Sequence, residues 1–182
     1  HTITESGFTI AITVSGADVT LTSTDGTGKL DAIANGIQIR DGANVTVSNI
    51  EITANYLVTG GGLVYDGRAV EVVNSTAVFA NVSTKTTAQN ADKSSVGWFV
   101  TGSDVTVNDS EITIDYSLSE AGAALENLPQ GQAIQAVGSD LALNKTKIVS
   151  NDYGVAVFGS TMIGDAAAAD SADAFDKLTV TD

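Results

Sequence analysis

The chain has 182 residues, no cysteine and a formal net charge of −14. It is therefore long enough to bury a core without disulfide staples, and it has neither a disulfide framework nor a thiolate metal site. An acidic excess on this scale repels duplex nucleic acid and anionic membrane surfaces, which removes both as partners.

No apolar run reaches the roughly 20 residues of a membrane span, so no membrane insertion is expected. The opening at His1 rather than Met reads as a processed or excised piece. His1 to Ser6 is a polar entry strand or ragged end. From Phe8 the chain alternates, with Ile10, Ile12 and Val14 on one side and Thr9, Ala11 and Thr13 on the other, the period of a half-buried strand. Gly16-Ala17-Asp18 predicts a turn, Val19-Thr20-Leu21 resumes the alternation, and Thr22 to Gly28 leads off into a loop. The order then repeats. Ile37-Gln38-Ile39 predicts a strand, Gly42-Ala43-Asn44 a turn, Val45-Thr46-Val47 a second strand and Ile50-Glu51-Ile52 a third. Val70-Glu71-Val72, Ala77-Val78-Phe79 and the stretch from Val82 form the next unit. Trp98-Phe99-Val100, Val105-Thr106-Val107 and Glu111-Ile112-Thr113-Ile114 form the one after. Ile134-Gln135-Ala136, Leu141-Ala142-Leu143 and Lys147-Ile148-Val149 follow, and Gly154-Val155-Ala156-Val157 opens a unit that fades at Ile163. Helix chemistry is confined to 165–176, where Ala168, Ala172 and Phe175 share a face and Asp165 can cap the start. Residues 165–182 thus predict a capping segment, a short helix followed by a strand at Leu178-Thr179-Val180.

The turn markers Gly16, Gly42, Asn74, Gly102, Gly138 and Gly159 recur at intervals of roughly 21 to 36 residues, a period that belongs to solenoids, propellers and arrays. A propeller blade needs about four strands in some 40 residues, whereas each unit here has three very short ones. Helical repeats fail because the apolar period is two and Val and Thr crowd the periodic segments. The expected fold is all-β: one domain over 1–182, a single-stranded parallel β-helix of about six coils whose strands stack at roughly 4.8 Å.

Units that must stack can vary only where the chain leaves the stack, so insertions point to function. They follow the third strand of a unit, at Ala54 to Gly67, Lys85 to Ser95 and Tyr116 to Gly131, and the candidate binding residues there are Tyr56, Tyr65, Tyr116, Glu120 and Glu126. A lyase would need a basic residue to abstract a proton beside a carboxylate, and Asp66, Arg68 and Glu71, with Arg40, supply one such set. Structural ion pairs between coils explain the same residues more simply. A glycosidase would need two facing carboxylates. Glu51 and Glu111 match two units apart, but with Ser83 between and Lys147 after they read as an outward polar ladder. Trp98 and Phe99 are consecutive in a strand, so one faces the core and the other solvent, in line with Gln38, Glu71 and Gln135. Calcium is the one cofactor that 22 acidic residues would suit, although both the nine-residue Gly-rich repeat and the EF-hand spacing are missing. Histidine-based chemistry has only His1 to draw on. Asn44, Asn74, Asn81, Asn108 and Asn144 each open an Asn-x-Ser/Thr triplet and are candidate glycan acceptors, although a repeat with Asn at turns and Thr on strand exteriors generates such triplets by itself.

The recurring Gly-(Ala/Ser)-(Asp/Asn)-Val-Thr-Val phrase, followed by Glu51-Ile52-Thr53 or Glu111-Ile112-Thr113, resembles the pectate-lyase-like right-handed parallel β-helices, and most of all the passenger regions of autotransporter adhesins. The resemblance spans Gly7 to Ile163. It implies a right-handed rod, extracellular or on the cell surface, that displays loops for adhesion or self-association. Its partners would be copies of itself in an oligomer or filament, or a cell-surface protein or polysaccharide. The competing expectation is a polysaccharide-active enzyme centred on Asp66, Arg68 and Glu71.

Overall fold

The structure is a computed structural model that describes residues 2–4, 10–26, 28–55, 57–58, 64–65, 67–88, 95–116, 131–150, 153–165 and 178–181. In chain order the strands are β1 (Thr2–Thr4), β2 (Ile10–Ser15), β3 (Asp18–Thr22), β4 (Gly28–Asp31), β5 (Asn35–Arg40) and β6 (Asn44–Ser48). Then come β7 (Ile50–Asn55), the short β8 (Leu57–Val58) and β9 (Val64–Tyr65), β10 (Val70–Val73), β11 (Thr76–Ala80), β12 (Ser83–Ala88), β13 (Ser95–Thr101) and β14 (Asp104–Asn108). The last are β15 (Glu111–Tyr116), β16 (Gly131–Val137), β17 (Asp140–Asn144), β18 (Lys147–Ser150), β19 (Tyr153–Phe158), β20 (Thr161–Asp165) and β21 (Leu178–Thr181). No helix occurs among the described residues.

The strands fall into three sheets that the chain visits in rotation. Sheet A runs β1-β4-β7-β12-β15-β18, sheet B runs β2-β5-β10-β13-β16-β19, and sheet C runs β3-β6-β11-β14-β17-β20 with β21 at its edge. All pairings are parallel except β20 with β21 and the small hairpin β8–β9. Each pass through A, B and C adds one level, and the levels stack in register: Val19, Val45, Ala77, Val105 and Leu141 form one inward column. This is the parallel, β-solenoid-like repeat that the periodicity predicts. Asn44 to Val47 shows why it forms: Asn44 and Thr46 are exposed while Val45 and Val47 are buried, the alternation a strand imposes on one wet and one dry face.

The six sequence markers are the backbone hinges of the corner between sheets B and C. Gly16, Gly42, Asn74, Gly102, Gly138 and Gly159 all have positive φ, from 47° to 77°. Asn substitutes for Gly there because its side chain is one of the few that tolerate the left-handed region. Beside the hinge, the hydroxyls of Ser103, Ser139 and Ser160 accept the backbone N–H of Ser75, Ser103 and Ser139 at 2.9–3.2 Å and donate to the carbonyl two residues back. A serine ladder thus satisfies the buried corner backbone. The corner from C to A has a second left-handed series, Asn49, Asn81, Asp109 and Lys145.

The core adjusts locally around its two largest rings. Trp98 and Phe79 are fully buried with centroids 4.6 Å apart and planes tilted by 59°. Beside Trp98 stands Thr84, smaller than the isoleucine found at Ile52 and Ile112 in the same column. The Thr84 hydroxyl also accepts the indole N–H of Trp98 at 2.9 Å, so the only buried indole keeps its hydrogen bond. Gly36 has no room for a side chain: an added Cβ would run into the Ala69 carbonyl and come within 2.7 Å of Ile52 Cγ2.

The insertions leave the stack at a common corner but begin later than the sequence suggests, since Ala54 and Asn55 belong to β7 and Lys85 to Ala88 belong to β12. The chain between sheet A and sheet B is longest after β7, β12 and β15, so all three depart from the A-to-B corner. The helix expected within 165–182 falls on residues outside the described set, apart from Asp165, which ends β20. The final strand forms as β21 and pairs antiparallel with β20, covering the last edge of sheet C.

Candidate functional site

Of the residues proposed for lyase chemistry, Arg68 and Glu71 come together and Asp66 lies outside the described residues. Arg68 is placed by the corner just before β10. Its Nη1 donates to Glu71 Oε2 at 3.0 Å, and its guanidinium lies over the Phe99 ring at 4.4 Å. Glu71 Oε1 also accepts from Gln38 Nε2 at 3.4 Å. The register aligns Gln38, Glu71, Phe99 and Gln135 in one outward column of sheet B, while Trp98 turns inward. Both charges are mostly shielded, with 22% and 17% of their side chains exposed. The guanidinium is used twice, as ion-pair partner and as the cation on the ring. The pair lies within one level, three residues apart, rather than between levels as expected. Arg40 does not join it, since its Nε is directed at Asp41, 3.5 Å away. Arg68 thus covers the outward ring of Phe99.

The loop residues are placed only in part. Tyr65 lies in β9 opposite Leu57, and Tyr116 ends β15 opposite Ala88. Tyr56, Glu120 and Glu126 lie outside the described residues. Among the five Asn-x-Ser/Thr sites, Asn44, Asn74 and Asn81 are exposed. Asn81 donates to Asn49 Oδ1, and Asn144 donates to Asn108 Oδ1, both at 2.9 Å. These three amides are thus rungs of side-chain ladders. No group of three or more His, Cys, Asp or Glu side chains able to hold a metal occurs among the described residues. No helix there is long and apolar enough to cross a membrane.

A groove of about 940 Å³ lies elsewhere, along the corner from sheet C to sheet A. One wall is the first outward column of sheet A, in the order Lys29, Glu51, Ser83, Glu111 and Lys147. The other is the left-handed corner row, Asn49, Asn81, Asp109 and Lys145. Lys29 Nζ meets Glu51 at 2.7 Å and Lys147 Nζ meets Glu111 at 3.4 Å, so each carboxylate is paired on its outer side, with Ser83 between them. The hydrogen bond that Lys29 donates to Glu51, and then the charge of Glu51, raise the Lys29 pKa above the ordinary lysine value. A raised amine contributes its stabilisation fully below that ordinary value and loses it as pH rises past the raised one. Lys145 and Asp109 approach to 4.0 Å. The Glu51–Ser83–Glu111–Lys147 alignment follows from the sequence units; Lys29 and the corner row escape that reading because Asn and Asp before a strand look like ordinary turn residues.

Fold and site together define a β-solenoid-like repeat protein with ion pairs set along its outer columns. A scan against models of known families, a search of curated proteins and a search of solved structures each return no significant match.

Proposed function

We propose that this chain is a right-handed single-stranded parallel β-helix of about six coils that works outside the cell as a non-catalytic binding rod of the adhesin type. Its contacts are made by the A-to-B loops and the polar outer faces. The observation that carries this reading is the state of the described part of the lyase-like constellation: Arg68 is paired with Glu71 and stacked on Phe99, and Arg40 is directed at Asp41, so neither guanidinium is placed to remove a substrate proton. Adhesin-type binding is preferred to a filament because β21 occupies the sheet C edge on which another copy would continue the stack. The extracellular location comes from the family resemblance.

The second reading, a glycoside hydrolase, draws on the groove, where two levels put Glu51 and Glu111 roughly 9 to 10 Å apart, the upper end of the spacing inverting enzymes use. Pairing of both carboxylates to lysines weighs against it. Incubation with acidic and neutral polysaccharides decides between them. The expected result is retention on cells or polysaccharide with no unsaturated or shortened sugars released. Release abolished by Arg68→Ala would establish a lyase, release abolished by Glu111→Gln a hydrolase, and either would overturn the non-catalytic reading.

A further inference from the structure

We propose that the groove at the C-to-A corner is a binding site for a linear, uncharged polyhydroxyl chain, a neutral glycan. The proposal rests on the binding reading above and gives it a site and a ligand class, on a different corner from the long loops.

Charge is the first argument. Three of the chain's eight basic residues, Lys29, Lys145 and Lys147, line this groove together with three carboxylates, Glu51, Asp109 and Glu111. The groove is locally balanced on a molecule whose net charge is −14. A polyanion is repelled by the surrounding field, whereas a neutral chain is not. Spacing is the second. The wall presents Lys, Glu, Ser, Glu and Lys at successive levels, roughly 4.8 Å apart. A ladder of donors and acceptors with a constant step suits a polymer whose hydroxyls also repeat, because each hydroxyl both donates and accepts.

Preorganisation is the third. Asn81 donates to Asn49, which donates to the Ser23 carbonyl, and the two ion pairs hold the lysines along the wall. Little side-chain freedom remains to be lost on binding. The corner backbone, by contrast, is already consumed: the N–H groups of Asn49, Asn81 and Asp109 donate to Ala80, Asn108 and Asn144 of the next level. A peptide strand therefore has no edge to pair with here. Ser83, small and exposed, stands at the middle of the wall between Glu51, which meets Lys29 through Oε2, and Glu111, which accepts from Lys147 and Thr113 through Oε1.

The test is isothermal titration calorimetry of the full chain with hexasaccharides of β-1,4-linked glucose, xylose and N-acetylglucosamine, and with polygalacturonate. The expected result is binding of at least one neutral hexasaccharide. Ser83→Trp, which fills the middle of the groove, should weaken it at least about tenfold, or about 1.4 kcal/mol. The double variant Lys29→Gln/Lys147→Gln should weaken it as well, which guards against misfolding of the first. Replacing 117–130 by a Gly-Ser linker should change affinity less than about twofold. Binding that ignores both groove variants but is lost with the loop would overturn the groove and leave the binding reading standing. No binding of any neutral hexasaccharide, or a preference for polygalacturonate, would overturn the assigned ligand class. Groove-dependent binding with shortening of the sugar would support the site and overturn the non-catalytic reading.

Discussion

Thr84 shows how one side chain makes this interior work. At this point of an otherwise aliphatic column a hydroxyl is fully buried, and its use is to accept the Trp98 indole N–H at 2.9 Å. Replacing it with the isosteric Val fills the same space and strands the indole donor, which costs about 1–3 kcal/mol. Thr84→Val is therefore expected to lower the unfolding free energy by that amount, seen as a lower denaturant midpoint with an unchanged m-value, whereas Trp98→Phe alone should relieve the need for Thr84 and make the double variant less costly than the sum. A double-mutant cycle by urea unfolding checks it; strict additivity would mean the bond contributes nothing. Which of Trp98 and Phe99 faces inward is a matter of register that period two leaves open. In the structure Trp98 is the inward ring, fully buried and bonded to Thr84, while Phe99 is half-buried on the outer face under Arg68. Arg68 was legible as a charged residue near Glu71, but its position over Phe99 was not, because the contact joins residues 31 apart in the chain.

Among the elements, strands and one corner were plain in the sequence because each is written locally. Alternation marks a strand, and Gly or Asn at a left-handed hinge marks the B-to-C corner. The C-to-A corner was hidden, since its hinge residues are Asn, Asp and finally Lys145, a residue with no turn preference of its own. The groove built on that corner was hidden with it, although the alignment of Glu51 with Glu111 could be counted from the repeats. At the C-terminal end, β21 covers the β20 edge of sheet C by an antiparallel pairing. Removing 166–182 uncovers the β20 edge, whose unpaired N–H and C=O groups then invite another chain. Light scattering of the truncated chain should show concentration-dependent association absent from the full-length one. Unchanged scattering would remove the capping role of β21.

For the molecule as a whole, the acidic surface and the stacked fold act together. Ion pairs such as Lys29–Glu51 and Lys147–Glu111 are half-exposed and add little stability each. Cohesion comes from the inward columns, where like packs on like from level to level. Outward columns are then set in fixed rows, and both the Arg68–Glu71 arrangement and the groove depend on that register. Because the chain has no cysteine, labels can be placed on it at will. Asp18, Asn44, Thr76, Asp104 and Asp140 occupy one exposed-edge column of sheet C, four steps from end to end. The most direct test is the spin–spin distance in Asp18→Cys/Asp140→Cys. Parallel stacking in register predicts a single narrow distribution centred about 19 Å apart at the backbone, four strand spacings; a backbone separation above about 30 Å, or a broad distribution, would contradict the stack on which the account of the site is built.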